Sequence, residues 1–550
     1  MKVSSDHRPI LSPRRRIRST RQRFGVRQFA AAFPAMCDHL KSARGLAQSK
    51  SFARSVAFSI VILAGGFATP CFPTPADYFR IAVVDEQTGR GVPLVELETV
   101  NHLRFYTDSA GVVAFFEPAL MNRDVFFHVR SHGYEFKKDG FGYAGKTLAV
   151  KPGGSAELKL KRLNIAERLY RVTGEGIYRD TVLLGGRAPI AEPLLNAQVA
   201  GQDTVMALPY RGRLHWFWGD TLRPKYPLGH FGTAGATSEL STRGGLDPAV
   251  GVDLRYFAGD DGFSRPMIKL GAPGPVWVHG AFTLNDPSGH ERLVAHYMRM
   301  KNLGEMLEHG LVMFNDEQQR LDKLVEFDLK EKWRRPHGHP VRFKDTDGEF
   351  IYFPAPFANV RVRAVWQAVT NQSRYESLSL TTNAAGRLKH EWQTNSAPLT
   401  QKAERELVRS GKLRPEEARL QMTDVDSGKP VEMHSGSICW NEFRKRWVMI
   451  AGQSGGTSYL GEIWFAESES LTGPWRLARK IVTHERYSFY NPAQHSFFDQ
   501  QGGRVIYFEG TYTAEFSGNP VKTPRYDYNQ IMYRLDLTDA RLGLPLERKD

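Results

Sequence analysis

Strand-like apolar runs recur across residues 170–540 without the 3.6-residue period of a helix. Runs at 214–218, 254–257, 293–298, 311–314, 349–353 and 363–369 are followed by others at 437–440, 447–451, 463–466, 505–509 and 531–535. About 370 residues at about 40–50 per repeated unit, with insertions between them, fits five to seven units set around a common axis. One stretch, 401–420 (QKAERELVRSGKLRPEEARL), has helical character. It is charged, broken at Gly411 and restarted by Pro415 at a first-turn position, and it predicts an inserted surface hairpin, lid-like or merely solvated, at about 400–421.

The net charge of +15 suggests a nucleic-acid partner until its distribution is examined. Of 74 Lys/Arg and 59 Asp/Glu, residues 1–68 hold 13 and 2, which leaves 61 and 57 in the remainder. The folded part is close to neutral and lacks the basic stripe that tracks phosphates, so no nucleic-acid partner is expected. The basic leader ends in an apolar core at 55–68 (SVAFSIVILAGGFA), too short to span a bilayer comfortably. Its flank Lys50/Arg54 and the small residues Gly66 and Ala68 predict a signal peptide cut after Ala68. The mature chain is then secreted or periplasmic, with no stable membrane span. Met36 is an alternative start. The three cysteines, Cys37, Cys71 and Cys439, make no disulfide framework, and Cys439 reads as a buried small hydrophobe.

Residues 77–163 read as a separate small β-sandwich, with short strands and turns such as Asp85-Glu86-Gln87-Thr88-Gly89 and Asp108-Ser109-Ala110-Gly111. The order V-x-D-x-x-T-G-x-G-V-P, then T-D-S-x-G, then G-Y resembles the carboxypeptidase-regulatory, prealbumin-like modules. That resemblance implies a spacer or binding appendage without catalytic residues.

In the large domain, Gly461-Glu462-Ile463-Trp464-Phe465-Ala466-Glu467-Ser468 followed by Leu471-Thr472-Gly473-Pro474-Trp475 resembles the blades of five-bladed propeller glycoside hydrolases, the arabinanase and β-fructosidase group. The pair Gly201-Gln202-Asp203-Thr204 and Trp218-Gly219-Asp220-Thr221 resembles a bacterial family whose characterised relatives are endo-D-arabinanases. The resemblance implies an all-β fold, a five-bladed or six-bladed β-propeller at 170–540, and suggests Asp203 and Asp220 as the acids.

Glycosidic hydrolysis needs two carboxyl groups flanking one bond. Asp203 and Asp220 are 17 residues apart, enough for a strand, a turn and a return strand. Asp220 follows an aromatic run and Gly219, where the backbone can kink and a sugar approach. They are read as an acid/base pair with roles undivided; turn-capping aspartates are the alternative. Glu509, at the end of an apolar strand before Gly510, is the third catalytic candidate, although Thr511 stands where the arabinanase group has Pro. Glu462 is weaker. Substrate-binding candidates are Trp218, His279, Gln453, Asn491, His495, Arg525, Tyr526, Asp527 and Asn529, with His434 and Tyr528 beside them. Together they offer flat apolar faces and paired donors and acceptors for sugar hydroxyls. Arg525 is suited to a carboxylate or sulfate on an acidic glycan.

No cofactor is expected. His337-Gly338-His339 is a weak metal pair whose neighbours Arg335 and Pro336 suggest an exposed loop, and a structural cation in the channel stays open. No phosphate-binding loop, zincin motif or nucleophile elbow occurs. The functional expectation is a secreted hydrolase of a polysaccharide or oligosaccharide, arabinan-like furanosides among them. The alternatives are a non-catalytic carbohydrate- or surface-binding propeller, and a lyase or sulfatase-like enzyme on acidic glycans.

Overall fold

A strand's place in its sheet is legible in its composition. The strand Val505–Thr513 (VIYFEGTYT) is buried at every position, as a strand covered on both faces must be, whereas Leu388–Gln393 (LKHEWQ) is at most half-buried throughout and forms a sheet edge. A computed structural model describes residues 73–544, and these are nearly all β. The leader, with Met36, Cys37, Cys71 and the signal-peptide core, lies outside the described residues. Among the described residues no helix is long and apolar enough to cross a membrane.

Five antiparallel-based sheets follow one another along the chain. The first runs from Met206–Tyr210 to Arg255–Tyr256 and the second from Val276–Asn285 to Arg320–Phe327. The third spans Val341–Asp345 to Leu388–Gln393, and the fourth Met422–Asp424 to Leu477–Thr483. The fifth is built from Ser488–Gln494, Val505–Thr513 and Asn529–Asp536, and Glu167–Arg171 completes it from the other end of the segment. A small ladder of Gly201–Gln202, Thr221–Arg223 and Tyr226–His230 stands beside the first sheet.

Each sheet packs against the next through its own apolar cluster. Phe217 with Tyr297, Leu311 with Val362, and Tyr352 with Met449 mark the first three contacts. Ile450 with Phe508 marks the fourth. In the remaining cluster, Trp216 and Trp218 of the first sheet pack with Tyr170, Tyr507 and Met532 of the fifth. The last sheet thus meets the first.

Residues 79–162 form two four-stranded sheets over one core that includes Ile81, Val83, Leu97, Phe115 and Phe127. Asp85 and Asp108 make the anticipated turns, accepting from the backbone N–H of Gln87 and Ala110. This unit docks on the fifth sheet. Arg168 donates to the carbonyls of Pro93 and His132, His132 meets the Tyr512 hydroxyl at 3.0 Å, and Tyr526 donates to Thr107 O while accepting from Leu94 N.

Two expectations need correction. The 400–421 insertion, expected as a surface hairpin that is lid-like or merely solvated, is tied into the domain. Its helix, Gln401–Arg409, is capped by Thr400 and carries the fully buried Glu404, which accepts from the backbone N–H of Arg419 and Leu420. Leu420 and Met422 then join the third–fourth sheet cluster. Cys439 is free and half-buried rather than sealed in the core.

Tyr526→Phe removes one hydroxyl that satisfies a buried carbonyl and a buried N–H together. It is expected to lower unfolding free energy by about 1–3 kcal/mol, measured by chemical denaturation.

Candidate active site

The strand Gly201–Gln202 pairs with Thr221–Arg223, with Gln202 opposite Thr221, so Asp203 and Asp220 flank the same end of one ladder. Gln202 is locked by Thr221 Oγ1 at 3.0 Å and the Tyr256 hydroxyl at 2.8 Å. The backbone N–H of Asp220 donates to Asp203 Oδ1 at 2.8 Å, and that of Gly219 donates to Asp203 O at 2.8 Å. Gly219 is required here, because a Cβ would stand 2.2 Å from Asp203 Oδ1.

The other side of the site comes from the fifth sheet, about 290 to 330 residues further along the chain. Tyr490 donates its hydroxyl to Asp203 Oδ2 at 2.9 Å, and Tyr528 favours the ionised form of the same carboxyl. Thr204 N donates to Thr511 Oγ1 at 3.0 Å, and Asn491 Nδ2 donates to Thr204 Oγ1 at 2.8 Å. From the second sheet, Trp277 Nε1 donates to Asp220 Oδ1 at 2.7 Å. Thr204, Asn491 and Tyr528 all have positive φ, at 52°, 49° and 63°. Non-glycine residues adopt that conformation at a cost of about 1–2 kcal/mol each, and it persists only where surrounding structure enforces it.

Both aspartates keep part of their surface accessible, yet both are ringed by protein. Burial pushes the Asp203 carboxyl upward, opposed by the hydrogen bonds from Tyr490 and Asp220 N and by the hydroxyls of Tyr528 and Thr204. Burial, then the charge of Asp203, pushes Asp220 up to about 8, opposed by Trp277. Two such groups titrate as a pair, one proton being held while its partner ionises. Glu515, half-buried just past the strand Val505–Thr513, is also raised, first by burial and in part by Asp203, and its charge in turn raises Asp220. Beside it Phe516 is 55% exposed, with its ring edge-on to Tyr490 at 5.7 Å, and presents an apolar face next to the acids.

Other sequence candidates fall elsewhere. Glu509 is fully buried, its Oε1 2.8 Å from His495 Nε2, two residues before Thr511 on the same strand. Trp218 is sealed between Trp216 and Tyr256. Arg525 is held by Glu175, Tyr526 by residues 94 and 107, and Asp527 by Tyr487 and Ala514 N. Asn529 is fully buried and holds the carbonyls of Arg525 and Asp527. These four shape the loop that presents Tyr528. Gln453 accepts from Trp464, and Glu462 anchors Thr457. Asn491 reaches the site through Thr204, and His434 is exposed beside Ser435, which donates to Asn491. His279 lies two residues from Trp277 on the same strand face.

The 335–339 segment is not an exposed loop throughout, since Arg335 and Pro336 are buried and His337 alone is well exposed. Among the described residues no group of three or more His, Cys, Asp or Glu is placed to hold a metal. A cavity of about 180 Å³ lined by Tyr210, His215, Phe257, Phe314 and Asp316 belongs to a different part of the first sheet and holds no facing acid pair.

Sequence reading missed Glu515, Tyr490, Trp277 and Phe516. An acid just past an apolar strand, followed by an aromatic, was the available signal for the Glu515–Phe516 pair.

Unfolded, Asp220 loses its proton near 3.8; folded, it does so near 8. The folded chain therefore binds the extra proton in that window, and stability falls as pH rises through it. Asp220→Asn is expected to flatten this slope, and Trp277→Phe to move its upper edge higher, as read from denaturant midpoints between about pH 4 and about pH 9.

No family model and no curated protein matches the chain. Solved structures to which it is similar include the GH43_1 enzyme from Xanthomonas citri complexed with xylotriose, at 12% identity over 61% of this chain and 86% of that one, TM-score 0.31. An exo-1,5-α-L-arabinanase from a bovine ruminal metagenomic library gives 11% identity over 62% and 94%, TM-score 0.31. An exo-β-1,3-galactanase from Clostridium thermocellum gives 12% identity over 60% and 57%, TM-score 0.30.

Proposed function

We propose that the chain is an exported glycoside hydrolase, its five sheets the blades of a β-propeller and its 79–162 unit a prealbumin-like β-sandwich. The observation that carries this is the carboxyl pair. Asp203 and Asp220 are joined by one hydrogen bond and held by groups from the second and fifth sheets, and one proton is retained near neutral pH. Hydrolysis of an acetal needs a protonated acid for the leaving oxygen and an ionised group for water or the anomeric carbon. Asp220, whose proton is held by burial and by the Asp203 charge, is the donor. Asp203, whose carboxylate accepts from Tyr490 and Asp220 N, is the base or nucleophile. Glu515 raises the proton affinity of Asp220, and Phe516 stacks on a sugar face.

The substrate is a polysaccharide or oligosaccharide, arabinan-like furanosides first among those to be tried. The leader exports the chain to the periplasm or beyond. In a panel of arabinan, galactan and xylan, Asp203→Asn and Asp220→Asn are each expected to lower kcat roughly 100- to 10,000-fold while melting cooperatively. Wild-type activity in both variants contradicts the assignment, and binding of glycans without turnover by the native chain points to a carbohydrate-binding propeller instead.

A further inference from the structure

Arg335 is 8% exposed, and among the described residues no carboxylate pairs with it. Its guanidinium contacts the sulfur of Met298 and Nε2 of His337, and its Nε has no partner. Burial draws its pKa down to about 10, which still leaves it charged at neutral pH. A buried, uncompensated guanidinium is costly, and a fold tolerates one where an anion compensates it.

The register places this charge near the carboxyl pair. Met298 is the cross-strand partner of Trp277, whose indole N–H binds Asp220. Side chains of directly opposed residues share one face of the sheet, so Arg335 lies over the face that carries Trp277 and His279. His279 Nε2 is buried without a partner, and the His279 ring lies 5.1 Å from that of His337. His337 is solvent-accessible, so the cluster opens to water. Arg335 therefore brings an unpartnered Nε donor beside an open imidazole, one step along the sheet from the group that holds Asp220.

We propose that Arg335, His279 and His337 form a subsite for an anionic group of the glycan, a uronate carboxylate or a sulfate ester, on a sugar unit next to the one bound at Asp203 and Asp220. This rests on the hydrolase reading and narrows its substrate class. A guanidinium suits such a group because its planar donors match carboxylate or sulfate oxygens two at a time.

The test is equilibrium binding to the full chain carrying Asp220→Asn, so that no turnover interferes. The probes are trigalacturonate, a sulfated trisaccharide, neutral arabinotriose and inorganic sulfate. At least one acidic trisaccharide is expected to bind roughly tenfold or more tightly than arabinotriose. That preference is expected to vanish in Arg335→Met, recover in part in Arg335→Lys and weaken with added salt. The two acidic probes tell uronate from sulfate. Equal affinity for acidic and neutral probes, or a preference that survives Arg335→Met in a cooperatively folded variant, overturns the proposal. Binding of inorganic sulfate alone, with no gain for either acidic glycan, also overturns it. An acid preference in a chain whose wild type hydrolyses no glycan removes the hydrolase and keeps the subsite, whereas turnover of neutral glycans without acid preference does the reverse.

Discussion

The pairing of Glu167–Arg171 with Asn529–Asp536 governs the architecture. It sets the beginning of the large segment against its end, and the cluster of Trp216, Trp218, Tyr170, Tyr507 and Met532 packs the first sheet on the fifth. Without that junction Asp203 would be remote from Tyr490 and Thr511, which fix its carboxylate and the backbone after it, and from Tyr528, which favours its ionised form. The 79–162 unit reinforces the same junction. Arg168, from the closing strand, reaches the carbonyls of Pro93 and His132, and Tyr526, from the loop that presents Tyr528, is fastened to residues 94 and 107. The 79–162 unit therefore helps to position Tyr528, which acts on the Asp203 carboxyl.

The local chemistry works against folding and is supported by the surrounding packing. Three acids, Asp203, Asp220 and Glu515, are crowded into recessed positions, where Asp203 raises the proton affinity of Asp220 and Glu515, and Glu515 that of Asp220. Three residues in left-handed conformation meet around them. Strain and like-charge crowding of this kind cluster where a protein acts on a ligand, and the five interlocked apolar clusters are what hold the arrangement together.

Much of the fold was legible because strand period and turn chemistry are local. Asp85 and Asp108 announced their turns, and buried runs such as 505–509 announced central strands. The Asp203–Asp220 proximity was also legible, since one ladder spans their separation. The remainder of the site was not, because its partners come from other sheets. Tyr490 and Trp277 meet the pair only through tertiary packing, and Glu515 lies just beyond a strand whose interior acid, Glu509, attracted the assignment. Arg525 and Asp527 looked like ligand-binding groups because their internal partners, Glu175 and Tyr487, are distant in the chain. The helical insertion read as a surface hairpin because the bonds that bury Glu404 close a short loop that composition does not reveal.

The central claim is that this carboxyl pair adds water across a glycosidic bond. It is tested most directly by incubating the native chain with a glycan panel in heavy-oxygen water and reading the reducing ends by mass spectrometry. The account predicts one heavy-oxygen atom at each newly formed reducing end, absent in Asp220→Asn. Cleavage to unsaturated ends without oxygen uptake, or binding of every glycan with no new ends, contradicts it.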